Sequence, residues 1–357
     1  MKPTPQVQRL RRLALAQTFF PPTTLEGAFE KLGFVQADPI RAPARAQDLI
    51  LRHRVRGYRA GDLERRYHAL GIEEDDLYAY GFLRRDLWAL LHPPDARGLS
   101  ELETRLLEYI RAAGPTHPNG LVAPFGNERA TSAWGNMSRA TTLAVGDLQR
   151  RGFLRISHRV KGVRVYEAVP ASEIAHEAGA ALRELTMVEL RLLSPSPVPP
   201  QSPALRRVRS NLGMAAKNTT VDDLVASGEL RSETVDKIRY VWPADTVEAD
   251  VPDRVRLLAP FDPLVWDRKR FQHLWGWDYR FEAYTPPPKR IRGYYALPLL
   301  WRDDVIGWAN LKLTDGTLDV DLGYIDKAPT SKVYTNALDA EIARFEAFIG
   351  ATSSQMR

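Results

Sequence analysis

The 357-residue chain contains no cysteine. That one absence excludes disulfides, thiolate-bound zinc, iron–sulfur clusters and a cysteine nucleophile. Histidine is scarce as well. Its seven copies are scattered without ligand spacing, so neither a metal site nor a cofactor is expected. A Walker loop, a GxGxxG after a strand, an HExxH helix and a GxSxG elbow are all missing, which removes the common nucleotide-dependent, metalloprotease and serine-hydrolase readings. No apolar run approaches a membrane span. Residues 1–17 are arginine-rich but lack the apolar core and cleavage site of a signal peptide. A cytoplasmic address, nucleoid-associated when bound to DNA, and no membrane partner are the expectations.

An apolar fraction of 44% with 9% aromatics is enough for a packed core and too much for a disordered chain. The length predicts two or three domains. The net charge of +6 is modest, but it is unevenly placed. Residues 1–60 hold eleven Lys/Arg against four acids, a net +7, and residues 139–164 hold seven against Asp147 alone, a net +6. The remaining chain is therefore net acidic. Local basic faces attract polyanions, so this distribution favours a nucleic-acid partner.

The pattern along the chain predicts an α+β protein in four pieces: 1–97, 98–172, 173–243 and 244–357. The first reads as mostly helical over 5–95, with helices at 6–20, 25–32 (capped by Thr24), 62–70 and 86–91 and a helix or helix–strand junction over 44–54. In the second, Ser100 caps a helix over 101–113, with Leu102, Leu106, Tyr109 and Ile110 on one face. Ser138 caps a helix over 139–151. Two strand-like runs, 153–157 and 160–169, can then pair across a turn at Gly162. Helix, loop, helix and basic hairpin is the winged-helix order, although an unrelated α+β unit fits the same pattern. The third piece repeats the theme more weakly: a helix over 173–192, a proline-rich linker, short helices at 204–212 and 221–227, and one last element over 229–241. The fourth is strand-rich, with a hairpin of 294–301 and 305–313, a third strand over 317–324 and a closing amphipathic helix over 337–348.

One short stretch can carry chemistry: Phe34-Val35-Gln36-Ala37-Asp38-Pro39-Ile40-Arg41. If it is extended, Gln36 and Asp38 share a face, because side chains alternate with period two. An amide beside a carboxylate can hold one water, with Gln36 orienting it and Asp38 accepting its proton. Asp38 can also stabilise positive charge on a sugar whose glycosidic bond is breaking. The bland alternative is a turn, since Asp before Pro commonly opens a loop. Arg41, Arg45, Arg52, Arg54 and Arg56 can likewise be a solvated face. Arg139, Arg150, Arg151, Arg159, Lys161 and Arg164 fall on the second helix and wing of the best winged-helix candidate, the elements that meet a groove and its phosphates. Trp266, Trp275, Trp277, Trp301 and Trp308 crowd the last third, where stacking on bases competes with an ordinary core role.

The motif Val35-Gln36-Ala37-Asp38-Pro39-Ile40, running into Ala44-Arg45-Ala46, resembles the N-terminal motif of the AlkZ/YcaQ family of winged-helix DNA glycosylases. Two further stretches resemble its C-terminal hallmarks: Leu258-Ala259-Pro260-Phe261-Asp262-Pro263-Leu264-Val265-Trp266-Asp267-Arg268-Lys269-Arg270, and the run from Asp278 through Pro286-Pro287-Pro288-Lys289-Arg290 to Gly293-Tyr294-Tyr295-Ala296-Leu297-Pro298. The resemblance implies tandem winged-helix domains with a C-terminal β-rich scaffold. It implies hydrolysis of the N-glycosidic bond of N7-alkylated purines in double-stranded DNA, including bases joined in interstrand crosslinks, as part of base excision repair. Gln36 and Asp38 match the family's Gln-x-Asp branch, which makes them the catalytic pair. Lys289 and Arg290 join Arg41, Arg45, Arg139, Arg150, Arg159, Lys161 and Arg164 as DNA-binding candidates. Tyr80, in Tyr78-Ala79-Tyr80, stands where relatives carry His and becomes the lesion-proximal candidate.

An N7-alkylated guanine already carries positive charge, so it departs without a strong general acid. With no lysine beside the motif to form a Schiff base, water is the expected nucleophile and the enzyme is monofunctional. A monomer is expected. The competing reading is a winged-helix transcriptional regulator without chemistry, which predicts sequence-specific binding indifferent to alkylation. A scaffolding protein leaves the basic clusters without a role.

Overall fold

The computed structural model describes residues 3–92, 98–131, 135–170, 178–198, 219–248 and 250–350. They form a mixed α and β protein that divides into two compact units. The first unit comprises residues 1–65, 186–200 and 218–357, and the second comprises 66–185 and 201–217. The predicted helix over 204–212 and the prolines at 199, 200 and 203 lie outside the described residues.

In the first unit the helix Pro5–Thr18 starts where Thr4 accepts a hydrogen bond from the Val7 N–H and Pro5 presets the first turn. Its apolar face buries Leu10, Leu13 and Ala14 in a core with Tyr240, Phe271, Trp275, Trp277 and Leu300. Thr24 caps Leu25–Leu32 as predicted, and Gly33 ends that helix at φ 72°, a conformation that favours glycine. The C-terminal part carries a four-stranded antiparallel sheet in the order Val255–Leu257, Leu297–Trp301, Asp304–Thr314, Thr317–Tyr324. A side chain at Gly323 would sit 2.3 Å from the Trp308 ring, so glycine is needed there for the indole to lie on the strand. The closing helix Lys332–Ile349 begins earlier than its apolar pattern suggests, because Ser331 caps it through the Tyr334 N–H.

Also in this unit, Leu190, Val221, Leu224, Leu230 and Val241 form a small core of their own. The region over 229–241, read as one element, is two strands, Leu230–Val235 and Ile238–Pro243. Asp236 and Lys237 turn between them at φ 50° and 67°. A left-handed pair without glycine or asparagine gives no strong turn signal, which explains why the break was hidden.

The second unit is built on the helices Glu101–Ala113 and Ala140–Arg150 and the hairpin Leu154–Val160/Val163–Ala168, whose apolar sides enclose Leu106, Ile110, Val145, Leu148, Leu154 and Ile156. Ser100 and Glu103 form a reciprocal capping box at the first helix. Lys161 and Gly162 make the hairpin turn at φ 49° and 81°. Two expectations fail here. Ser138 is not a cap: it lies in the strand Met137–Arg139, paired with Ala130, and the helix starts without a side-chain cap. The mostly helical reading of 5–95 also misses the hairpin Ile72–Asp76/Tyr80–Arg84. Its strand Ile72-Glu73-Glu74-Asp75-Asp76 has no apolar alternation, yet its first four residues are buried. Arg85, Arg159 and Trp88 supply the partners that make an acidic buried strand possible.

Candidate active site

The strand Phe34–Gln36 is buried throughout and delivers Gln36, 8% exposed, at its last position. The side-chain oxygen of Gln36 is enclosed and accepts no hydrogen bond from the described residues. Asp38 lies two residues on, beyond the end of the strand, so period-two alternation does not orient it. A turn does. The Ile40 N–H donates to Asp38 Oδ1 at 2.9 Å, and the Asp38 N–H donates to Gln47 Oε1 at 3.3 Å. The turn reading is therefore correct at the backbone, but it leaves the carboxylate available. Among the described residues Asp38 has no ion-pair partner, and it is half-buried. Burial pushes its carboxyl above the ordinary aspartate range, and the Ile40 N–H only partly offsets that.

The support behind Asp38 comes from residues the sequence did not single out. Gln47 is buried, and its amide N–H donates to Glu64 Oε1 at 3.0 Å while Arg45 pairs with the same carboxylate. The next residue, Asp48, accepts from the Tyr58 hydroxyl at 2.8 Å and the Gly61 N–H at 2.9 Å, tying down the segment after the helix Ala46–Leu51. Nothing in local sequence marks Gln47 or Glu64, because their roles exist only once residues 17 to 19 apart meet.

A cavity of about 600 Å³ is lined by residues 41–43, 293–295, 310–313 and 321. Arg41 and Lys312 are exposed at it. Tyr295, one of its lining residues, is buried with a hydroxyl that has no hydrogen-bond partner among the described residues. Burial first, and then the charge of Asp38, push that phenol upward, which puts Tyr295 within the electrostatic reach of the carboxylate.

In the second unit three sequence candidates come together around one buried acid. The hydroxyls of Tyr67 and Tyr80 both donate to Glu74. The Arg159 Nε donates to the same carboxylate at 2.9 Å, and its remaining nitrogens bond Glu74, Tyr80 and the Gly162 carbonyl. Arg164 covers the Tyr80 ring at 4.9 Å. Burial alone would raise Glu74, but hydrogen bonds from Arg159, Tyr80 and Tyr67 hold it below the ordinary glutamate range. Arg159 thus has its guanidinium occupied by the protein.

The other basic candidates differ. Lys161 is exposed at the hairpin turn, Arg139 reaches Asn119 at 3.2 Å, and Arg150 pairs with Asp147 one turn away. Lys289 is exposed, while Arg290 donates to the Thr285 carbonyl at 2.8 Å and lies over the Tyr294 ring. Of the tryptophans, Trp275 and Trp277 are core residues with Trp308 packed against them, and Trp301 is buried. No group of three potential metal ligands occurs among the described residues.

Residues 29–348 match the sequence profile of the family described as DNA glycosylase AlkZ-like. The chain belongs to the AlkZ-like DNA glycosylase family. The match takes in all the motifs that carried the resemblance, and membership makes the chain an enzyme that acts on DNA. The AlkZ-like chain is also similar to a solved structure, the DNA glycosylase AlkZ of Streptomyces sahachiroi. The identity is 16% and the TM-score 0.61, with each chain covered completely. At that identity the likeness speaks for the fold.

Proposed function

We propose that this AlkZ-like glycosylase hydrolyses the N-glycosidic bond of N7-alkylated purines in duplex DNA, with Asp38 and Gln36 as its catalytic pair. The reading is carried by one observation: a half-buried carboxylate with no cationic partner, two residues from a buried amide oxygen with no donor, among the described residues. Polar groups left in that state are costly unless the substrate complex completes them. Gln36 accepts a hydrogen bond from a water, and Asp38 removes its proton as the water oxygen bonds C1′. The C1′–N9 bond breaks, and the purine leaves neutral because the N7 alkyl group had already made it cationic. Before attack, Asp38 offsets the charge building on the sugar. A raised carboxyl is the better proton acceptor.

Within this reading the helix–helix–hairpin of residues 98–172 is a winged helix. Units 1–97 and 173–243 are related to it, ahead of a β-rich domain over 244–357. Phosphate contacts fall to Arg41, Arg139, Arg150, Lys161 and Lys289, whose exposure or loose pairing leaves them able to rearrange, and to the guanidinium nitrogens that Arg290 keeps beyond its Nε bond to Thr285. Arg45, Arg159, Arg164 and Tyr80 support those surfaces from within. Unhooking of crosslinks extends the same chemistry to a base tethered to the other strand. The protein works as a monomer in the cytoplasm, at the nucleoid.

The test is release of N7-methylguanine from methylated duplex DNA. Asp38→Asn is expected to slow release by roughly 10²-fold or more while duplex affinity changes little, because the loss lies in the transition state. The unsubstituted enzyme should slow as pH falls through a value above the ordinary aspartate range, since only the ionised form accepts the proton. Equal losses of binding and release in Asp38→Asn would falsify the catalytic role.

A further inference from the structure

The loop of residues 284–294 has an arrangement that the chemistry at Asp38 does not explain. Its backbone is held firmly and its apolar side chains are turned outward. The N–H groups of Ile291, Arg292 and Gly293 all donate to the buried Glu282 carboxylate, at 2.8 to 3.2 Å. Arg290 Nε closes the neck of the loop on the Thr285 carbonyl. On the other side Asn310 donates to the Arg292 carbonyl at 2.7 Å. Gly293, at φ 122°, packs so closely that a Cβ would lie 2.1 Å from Asn310 Oδ1. The loop is thus fastened to Glu282 on one side and to the sheet strand Asp304–Thr314, through Asn310, on the other.

Yet Tyr284 is 81% exposed, Ile291 75% and Tyr294 41%. Large apolar groups held rigidly in water mark a surface that something covers. The charge points to the occupant. Residues 279–294 hold Arg280, Lys289, Arg290 and Arg292 against Glu282, a net +3, and Glu282 is occupied by backbone N–H groups. Tyr294 also lines the cavity beside Arg41 and Lys312, next to Tyr295, which feels the Asp38 charge. Exposed apolar side chains on either side of the loop's neck, with basic residues beside them and continuous with the candidate active site, fit a nucleic-acid duplex opened at one step.

We propose that this loop is a preorganised insertion element, with Ile291 and Tyr284 entering the DNA stack at the lesion and Lys289 holding a flanking phosphate. Glu282 and Asn310 are its positioning residues. They fix the backbone in the inserting shape before DNA arrives, so little ordering entropy remains to oppose binding. The inference rests on the glycosylase reading above for its substrate, but its test does not depend on catalysis.

The experiment uses the full chain and a duplex with a tetrahydrofuran abasic analogue next to a 2-aminopurine. Insertion unstacks the reporter and raises its fluorescence. The Tyr284→Ala/Ile291→Ala double variant is expected to lose that rise and to bind the abasic duplex roughly tenfold more weakly, with an unchanged melting profile because both side chains are exposed. Glu282→Gln should reduce the rise by loosening the loop while Tyr284 and Ile291 are themselves retained. An equal fluorescence rise in the double variant overturns the proposal, as does no rise with the unsubstituted protein. A chain that sediments as a dimer, and as a monomer in the double variant, assigns the surface to a second copy and also overturns it. N7-methylguanine release by the unsubstituted protein, run in parallel, separates the two readings. Release with an unaffected double-variant signal sinks the loop alone, whereas absent release sinks the catalytic reading while the fluorescence still decides the loop.

Discussion

Residues 1–60 and 139–164 have almost the same excess of positive charge, and the folded protein uses the two stretches differently. In the first, several of the arginines are drawn to acids far along the chain. Arg54 is fully buried and grips Asp262 through Nη1 and Nη2 at 2.9 and 3.1 Å, while Nε donates to the Thr18 carbonyl and Nη1 also to that of Ile50. Arg52 pairs with the buried Glu341 at 2.6 Å, and Arg11 reaches Asp304 at 3.0 Å. Arg41 remains exposed. In the second stretch the pairs are closer in sequence and run from the surface inward: Arg150 with Asp147 is exposed, whereas Arg151 pairs with the buried Glu103 and Arg159 with the buried Glu74. Lys161 at the hairpin turn stays in water. A charge count locates a basic segment but does not say whether its cations hold the fold or face a partner. A buried pair whose removal strands a charge is structural, whereas a cation at an exposed turn is available for phosphate.

The comparison breaks most readily at Asp262. Asp262→Ala leaves the Arg54 guanidinium buried and unpaired, and the expected loss is about 3–5 kcal/mol of unfolding free energy in urea. The double change Arg54→Met/Asp262→Leu should recover most of it, because no orphan charge remains. A single-variant loss below about 1 kcal/mol, the range of an exposed pair, would erase the distinction between the two regions.

A smaller effect is expected at Glu74, the buried acid that pairs with Arg159 of the second stretch. Glu74→Gln removes the charge facing Arg159 and should cost roughly 1–3 kcal/mol at neutral pH. Its sign with pH follows from the depressed carboxyl. The contribution is complete above the unfolded-state value and is lost as pH falls through the lower folded value. The gap between variant and parent therefore narrows below about pH 4. Melting curves between neutral pH and pH 3 measure it, and a pH-independent gap would contradict the depressed Glu74.

The smallest effect on the fold belongs to Lys161. Lys161→Ala should change stability by no more than about 0.5 kcal/mol. Duplex affinity should weaken for every sequence alike, and the salt slope of binding should fall by about 1. If stability drops and the salt slope does not move, the hairpin turn is structural after all.

Much of the local structure was legible in residues alone. Thr24 and Ser100 state where helices begin because capping is local hydrogen bonding. Gly162 marks its hairpin because a left-handed residue is needed there. The motif from Gln36 to Ile40 declared itself through resemblance, and its Asp-Pro pair does form a turn. What could not be read depended on partners distant in the chain. The strand Ile72–Asp76 is acidic and buried only because Arg85, Trp88 and Arg159 come to it. The Glu64–Gln47 support of Asp38, and the nearness of Tyr295, exist only after folding. The sequence by itself determined the caps at Thr24 and Ser100, most helices, the C-terminal hairpin and its third strand, and the family, since these rest on contacts within a few residues or on contiguous motifs. Only the tertiary structure decided which arginines are buried and which face water. The energy of a charge depends on its dielectric surroundings and its counter-ion, and neither is a property of the neighbouring residues in the chain.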